Sequence, residues 1–189
     1  TLVLSGFVAF GIPFIKLWVG NEYLDAYLII VLLMMPAIIP LTQNIGISII
    51  QAKNKHQFRS VVYIIIAILN IIVSIPLAKR YGGVGAAMGT ALANILGQIL
   101  IMNIYYWKVI KIDIPTYWKR FITFSIPVIV IAFFLTNYMA TRTISWLELI
   151  VYAGIFTILY GIYSYFYTNS AEKEYISNIV NRLREKCFK

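Results

Sequence analysis

Long uncharged, mostly apolar stretches alternate with short charged intervals along the whole chain. Reading from one charge to the next, the uncharged windows are 1–15, 26–52, 60–78, 81–107, 121–141 and 149–171. A helix needs about 20 mostly apolar residues to cross a hydrocarbon core about 30 Å thick, and all but the first window approach or exceed that length. The pattern predicts an all-α polytopic membrane protein with about six transmembrane helices, A to F. We place A over 1–18, B over 27–51, C over 60–78, D over 84–106, E over 121–138 and F over 147–167. The first window begins with neither an initiating Met nor a basic region, so we read it as a span cut by the start of a fragment and not as a signal peptide.

Several residues inside the spans disturb this apolar pattern. Helix B carries Pro36 and Pro40, followed by the polar group Thr42, Gln43 and Asn44. A proline removes one backbone hydrogen bond and clashes with the preceding turn, so B is expected to bend near its middle. That bend could expose backbone to a cavity, as in transporters with discontinuous helices, or be a packing kink. Helix D opens with the glycine-rich turn Tyr81 to Gly85 and presents Gly85, Gly89, Ala93 and Gly97 at intervals of four. Such a ridge lets another helix approach closely, and no strand precedes it to make a dinucleotide fingerprint. The amides Gln43, Asn44, Asn70, Asn94, Gln98 and Asn103 fall within spans. Each needs a polar partner, either on another helix or along a hydrophilic path. Asn94 and Gln98 share a helix face.

Aromatic residues gather at the predicted span edges, including Trp18, Tyr23, Trp107, Trp118, Tyr138, Trp146 and Tyr167. Amphipathic rings prefer the headgroup level, which supports these boundaries independently. After F, Asn169 and Glu172 can cap a further helix. Ile176, Ile179, Val180 and Leu183 then recur on one face among charges, so 169–189 is expected to be a basic amphipathic tail on the membrane surface or, alternatively, a frayed polar terminus.

Composition agrees with the pattern. Hydrophobic residues make up 61% of the 189 and charged residues 12%, where soluble domains carry about 25% charged residues; mean hydropathy is +0.82. The net charge of +9 is dispersed in clusters between apolar runs, which argues against a nucleic-acid surface. Sorted by alternate loops, one side carries Lys53, Lys55, Arg59, Lys108, Lys111, Lys119, Arg120 and the basic tail, opposed by Asp113 and the tail glutamates. The other carries Lys16, Lys79, Arg80 and Arg142 against Glu22, Asp25 and Glu148. The more positive side is expected to be cytoplasmic, which puts both ends of the chain there.

No catalytic constellation, metal site or cofactor motif is expected. His56 is the sole histidine and is read as a solvated loop residue. Cys187, the sole cysteine, lies in the tail and argues against a disulfide framework, with palmitoylation as an alternative to a neutral surface role. No Asp, Glu, Lys or Arg falls in mid-span, which weighs against a proton or sodium relay within this segment.

Three stretches carry a family resemblance. They are AFGIPFIKLWVGNEYLDA at 9–26, IGISIIQAKNKHQFRS at 45–60 and LNIIVSIPLAKRYGGVGAAMGTALAN at 69–94. The last combines an Asn in one helix, a Pro near its end and a Tyr-Gly-x-x-Gly-Ala-Ala entry to the next. Together they resemble the C-terminal half of polysaccharide flippases of the oligosaccharidyl-lipid exporter type. Those flippases belong to the multidrug/oligosaccharidyl-lipid/polysaccharide superfamily.

The resemblance implies a C-terminal fragment of a transporter with twelve or fourteen helices in two lobes around a cavity. Helices A to D (1–107) would belong to the second lobe, E and F (108–168) would be the terminal pair, and 169–189 would be the tail. Its expected role is export of an undecaprenyl-diphosphate-linked oligosaccharide across the bacterial inner membrane for O-antigen, capsule or related glycan assembly. The expected partners are that lipid-linked oligosaccharide, membrane lipids, the missing N-terminal half and, in one version, a glycan polymerase complex, with no nucleic acid. Cations facing the diphosphate would come from the missing half, since this half has none in mid-span. Asn70, Asn94 and Gln98 would serve the cavity or lobe packing, Gly85, Gly89 and Gly97 tight helix contacts, and Pro36 and Pro40 a bend used in switching. The alternatives are a multidrug or metabolite antiporter of the same superfamily and a non-transporting partner of glycan assembly.

Overall fold

The computed structural model describes residues 1–52, 56–142 and 144–168, without the side chains of residues 42, 44, 45, 52 and 56. The predicted tail, with Cys187, and the side chain of His56 lie outside the described residues. Among those described, the regular structure is helical throughout: α1 (Leu2–Trp18), a short 3-10 turn (Asn21–Tyr23), α2 (Asp25–Thr42), α3 (Asn44–Ala52), α4 (His56–Asn94), a π-helical segment (Ile95–Ile101), α5 (Met102–Tyr105), a second π-helical segment (Tyr106–Ile110), α6 (Ile114–Ala140) and α7 (Trp146–Tyr167). Four helical runs are long and apolar enough to cross a bilayer, namely 21–41, 57–110, 114–140 and 146–167, while α1 at 17 residues is shorter.

The run 57–110 is not one straight rod. Gly82 has φ 59° and ψ −138°, a combination that costs a residue with a Cβ about 1–3 kcal/mol, and there the chain reverses. The sequence predicts a turn here, and the structure reduces it to a single glycine between helical arms 56–81 and 83–110. A Cβ on Gly85 would meet Leu77, one on Gly89 would meet Ser74 and one on Gly97 would meet Ile66. Farther down, the Phe58 ring stacks on Tyr105 at 4.0 Å between centroids. One partner's number falls as the other's rises, so the arms form an antiparallel helical hairpin.

Helix B is interrupted, but not at its prolines. Pro36 and Pro40 lie within α2, and the break falls at Gln43, whose φ −95° and ψ 18° leave the helical region before α3 begins. The second arm also runs further than the predicted D, and α6 begins well before the predicted E, at Ile114. Asp113 caps α6 by accepting from the Thr116 amide at 3.2 Å, and Pro115 follows within the first turn, where its missing N–H costs no bond. Ser145 and Glu148 form a reciprocal capping box at the start of α7.

Contacts between segments show their directions. Tyr27 at the start of α2 packs on Gly11, and Met34 lies across a shared groove from Leu2 and Val3, so α2 returns along α1. Ile29 meets Gly83 and Gln43 meets Asn103, so α2 and α3 run parallel to the second arm. Phe10 contacts Phe156 and Phe14 contacts Trp146, so α7 runs antiparallel to α1. One end of the bundle therefore gathers residues 18–25, 81–83, 140–142 and 144–146, and the opposite end gathers 50–52, 57–59 and 110–114.

Two buried clusters hold the helices. One joins Ala9 and Phe10 of α1 to Val128, Ala132 and Met139 of α6 and to Leu149 and Phe156 of α7. The other joins Ile50 of α3 to Val62 and Ile66 of the first arm and Ala93, Met102, Tyr106 and Ile110 of the second. Many large apolar side chains point outward, among them Ile71, Ile72, Phe134, Ile150, Ile158 and Phe166. In water such a surface would drive aggregation; in hydrocarbon it is the ordinary outer face of a helical bundle. The long apolar helices and this outer surface are the build of a polytopic membrane protein.

Candidate polar seam within the helical bundle

Backbone-to-backbone bonding satisfies most polar groups inside these helices, so the side chains that bond across helices mark where polarity is concentrated. The first such group lies inside the hairpin. Asn70 Oδ1 accepts from the Ser74 hydroxyl at 2.5 Å and from the Thr90 hydroxyl of the other arm at 3.1 Å. Both hydroxyls also lie within reach of the Ala86 carbonyl. A hydroxyl has one hydrogen, so these are exchanging alternatives around a shared acceptor pair. Close approach of the arms makes this possible: a Cβ on Gly85 would run into the Leu77 carbonyl oxygen, and one on Gly89 into Ser74 Oγ.

The second group joins α2 to the second arm. Gln43 Nε2 donates to Asn103 Oδ1 at 2.5 Å, and Asn103 Nδ2 donates to the Ile99 carbonyl at 2.7 Å. Both side chains are buried. Gln43 ends α2 and Asn103 stands between the two π-helical segments, so the amide pair ties together two places where α-helical geometry gives way. A π-bulge offsets side chains relative to a regular helix and recurs at functional sites.

The third group centres on the Val8 carbonyl of α1. The Val8 carbonyl accepts from the Tyr27 hydroxyl at 3.0 Å and from the Thr136 hydroxyl at 2.5 Å, the latter exchanging with the Ala132 carbonyl of its own helix at 2.9 Å. One carbonyl thereby receives donors from α2 and α6.

The sequence-predicted residues separate into distinct environments. Asn70 lies in the hairpin seam and Gln43 in the α2 junction, while Gly85, Gly89, Ala93 and Gly97 are buried. A Cβ on Gly97 would run into the Ile66 side chain. Asn94 and Gln98 are half-buried, and their side chains make no hydrogen bond to another described residue. Pro36 is buried and Pro40 half-buried within α2. Asn44 opens α3, with its side chain outside the described residues. Asn103, Ser74, Thr90, Tyr27 and Thr136 complete the polar contacts but fall outside the main set of predicted site residues. For Ser74 the available signal was its position four residues after Asn70 on the same helix face. Nothing local points from Tyr27 or Thr136 to Val8.

Charges collect at the two ends. Lys16 Nζ donates to the Ala140 carbonyl at 3.2 Å, a favourable position for a cation beside a helix C-terminus. Lys79 and Arg80 are exposed beside the hairpin tip. At the opposite end the Arg59 guanidinium lies over Tyr63 at 5.0 Å, and Lys108, Lys111, Lys119 and Arg120 are exposed. Asp113, also exposed there, has its carboxyl held below the usual range by its hydrogen bonds with the side chain and amide of Thr116. Among the described residues no group of His, Cys, Asp and Glu could hold a metal ion. An apolar crevice of about 300 Å³ between α6 and α7, lined by Pro127, Ile131, Leu135, Ile155 and Leu159, offers hydrocarbon contact and almost no polar surface.

No protein-family model, curated protein or solved structure matches this chain.

Proposed function

We propose that this chain is the C-terminal portion of a two-lobed transporter that flips an undecaprenyl-diphosphate-linked oligosaccharide across the bacterial plasma membrane for surface polysaccharide assembly. The supporting observation is the segment 69–94, which carries the most specific part of the family resemblance. It spans the tip of the hairpin and contains Asn70, Ser74 and Thr90 in a polar seam, with Asn94 unengaged one turn further on. In this reading six segments cross the bilayer: α1, α2 with α3, the two hairpin arms, α6 and α7. The basic end with Arg59, Lys108 and Lys111 faces the cytoplasm, as does the C-terminus.

A sugar diphosphate cannot enter hydrocarbon without partners for its polar groups, so its headgroup needs a wet path while its lipid tail stays in bilayer. Half-buried amides such as Asn94 and Gln98 can donate to and accept from sugar hydroxyls without the cost of a buried charge. The diphosphate calls for cations, which in this reading come from the other lobe. The process moves its substrate and changes no covalent bond.

The test is translocation of lipid-linked glycan in sealed vesicles containing the full-length protein, with vesicles containing residues 1–189 alone as the comparison. Outward transfer by the full protein and none by the shorter chain is the expected result. Absence of transfer by folded full-length protein, across a panel of glycans and imposed ion gradients, would overturn the flippase reading in favour of the antiporter or the non-transporting partner. Orientation has its own check: a membrane-impermeant maleimide should label Cys187 in inverted vesicles and not in intact cells.

A further inference from the structure

The elbow between the second hairpin arm and α6 has an unusual construction. The second π-helical segment ends at Ile110, and Lys111 follows in the left-handed region with φ 65° and ψ 35°. It is the sole non-glycine residue with positive φ among the described residues. Helices commonly close with a left-handed residue, but glycine normally takes that place because it has no Cβ to clash. Here the amides of Lys111 and Ile112 both turn back to the Tyr106 carbonyl, so glycine would serve the backbone better than lysine. A side chain kept at a strained position motivates a search for what that side chain does.

Its surroundings supply an answer. Lys111, Lys108 and Trp107 line an open groove of about 450 Å³ together with Ile112 and Asp113. Both lysines are exposed and without an ion-pair partner among the described residues. Asp113, the groove's carboxylate, is engaged in capping α6 through Thr116. Trp107 is 54% exposed, and an exposed indole beside an apolar helix end belongs at headgroup depth. Arg59, at the same end of the bundle, and Lys119 and Arg120 in the early turns of α6 add to the positive potential there.

We propose that this elbow is a binding site for the phosphodiester headgroup of an anionic membrane phospholipid. Lys108 and Lys111 hold the phosphate from one turn of chain, Trp107 packs beside the glycerol and upper acyl region, and the apolar arms below provide the wall for the acyl chains. A lipid is the occupant that fits both halves of this site, since the cations and indole lie at one end of an apolar helix. The inference rests on the membrane reading alone and is independent of transport.

The experiment uses full-length protein in nanodiscs of phosphatidylcholine containing increasing phosphatidylglycerol. Native mass spectrometry counts retained lipid, and quenching by brominated lipid is read as the difference between wild type and W107F. Preferential retention of phosphatidylglycerol, with stronger Trp107 quenching by brominated phosphatidylglycerol than by brominated phosphatidylcholine, is expected. K108Q and K111G should each weaken the preference roughly fivefold. K111G separates binding from folding, because it relieves the backbone strain: its melting temperature in pure phosphatidylcholine should equal or exceed that of wild type while its lipid preference falls. An unchanged preference in the K108Q/K111G double variant would overturn the proposal. So would displacement of phosphatidylglycerol by millimolar inorganic phosphate, which would make the elbow a general anion site.

Discussion

The α1–α6–α7 side of the bundle and the hairpin side solve one problem in different ways. Neither can rely on exclusion of apolar surface from water, since lipid tails are as apolar as leucine, so association within a bilayer depends on packing and hydrogen bonds. The first side packs large rings and aliphatic chains, with Phe10 edge-on to Phe156, and gathers donors from neighbouring helices on the Val8 carbonyl. The hairpin brings backbones together over glycine and places an amide between them. Bulky packing tolerates adjustment by rotamer changes, whereas a glycine contact against backbone has nowhere to yield. The hairpin side should therefore be the more brittle of the two.

Placing a methyl group at the closest contacts gives the sharpest break between the two sides. G85A and G89A should each destabilise the protein by about 1–3 kcal/mol through overpacking, because the new Cβ meets the Leu77 carbonyl or Ser74 backbone atoms and not a flexible side-chain end. Thermal unfolding in detergent checks this, with G154A on α7 as the control, since a Cβ there meets nothing within 4 Å. Equal melting temperatures for all three would remove the contrast.

G82A tests the tip alone, with an expected cost of about 1–3 kcal/mol from the backbone conformation. No neighbouring atom lies within 4 Å of the added Cβ, so the loss should appear as local opening, read by hydrogen exchange in 77–85, with the α1–α6–α7 side protected as before. The amides come next. N70L and Q43L each remove a cross-helix hydrogen bond, and such bonds in membrane proteins average about 0.6 kcal/mol with a maximum near 1.7. T136V makes the corresponding change at Val8 and should cost less than N70L, because Tyr27 still donates to that carbonyl.

The smallest effect concerns acid. The pKa of Asp113 is lowered in the folded chain by its hydrogen bonds to Thr116, so its contribution to the start of α6 is fully present above the ordinary carboxylate value of 3.8. It fades as pH falls through the lower, folded value. A carboxyl-carbon NMR titration should give a midpoint below 3.8, and D113N should remove the loss of protection at the Thr116 amide that accompanies acid in the wild type, with protection taken relative to the intrinsic exchange rate at each pH.

Much of this arrangement was legible along the chain. Charge spacing and aromatic edges located α1 and α7 to within a residue or so, because hydropathy and span length act locally. The glycines at intervals of four suggest a close contact, and the fold supplies Leu77, Ser74 and Ile66 as the neighbours. The break after α2 fell at Gln43 instead of at the prolines because a helix can contain proline when its freed carbonyls are accommodated. That accommodation depends on neighbours, not on local sequence. The π-helical segments and the left-handed Lys111 were invisible for the same reason: Gly97 inside the first segment reads only as a packing glycine, no glycine or proline marks the second segment or Lys111, and tertiary packing decides the backbone there.

The one-glycine turn at Gly82 also constrains how the protein is made. Two apolar arms with no connecting loop leave no slack for the second to wait in water while the first enters the bilayer, so residues 57–110 must be inserted as a folded-back pair. In the proposed orientation, that pair carries Lys79 and Arg80 across the membrane against the usual preference for keeping cations inside. The apolar length of both arms supplies the drive for doing so. Insertion of this region should therefore depend on the second arm as much as on the first, and a chain interrupted within 83–110 would leave the first arm free to choose the opposite orientation.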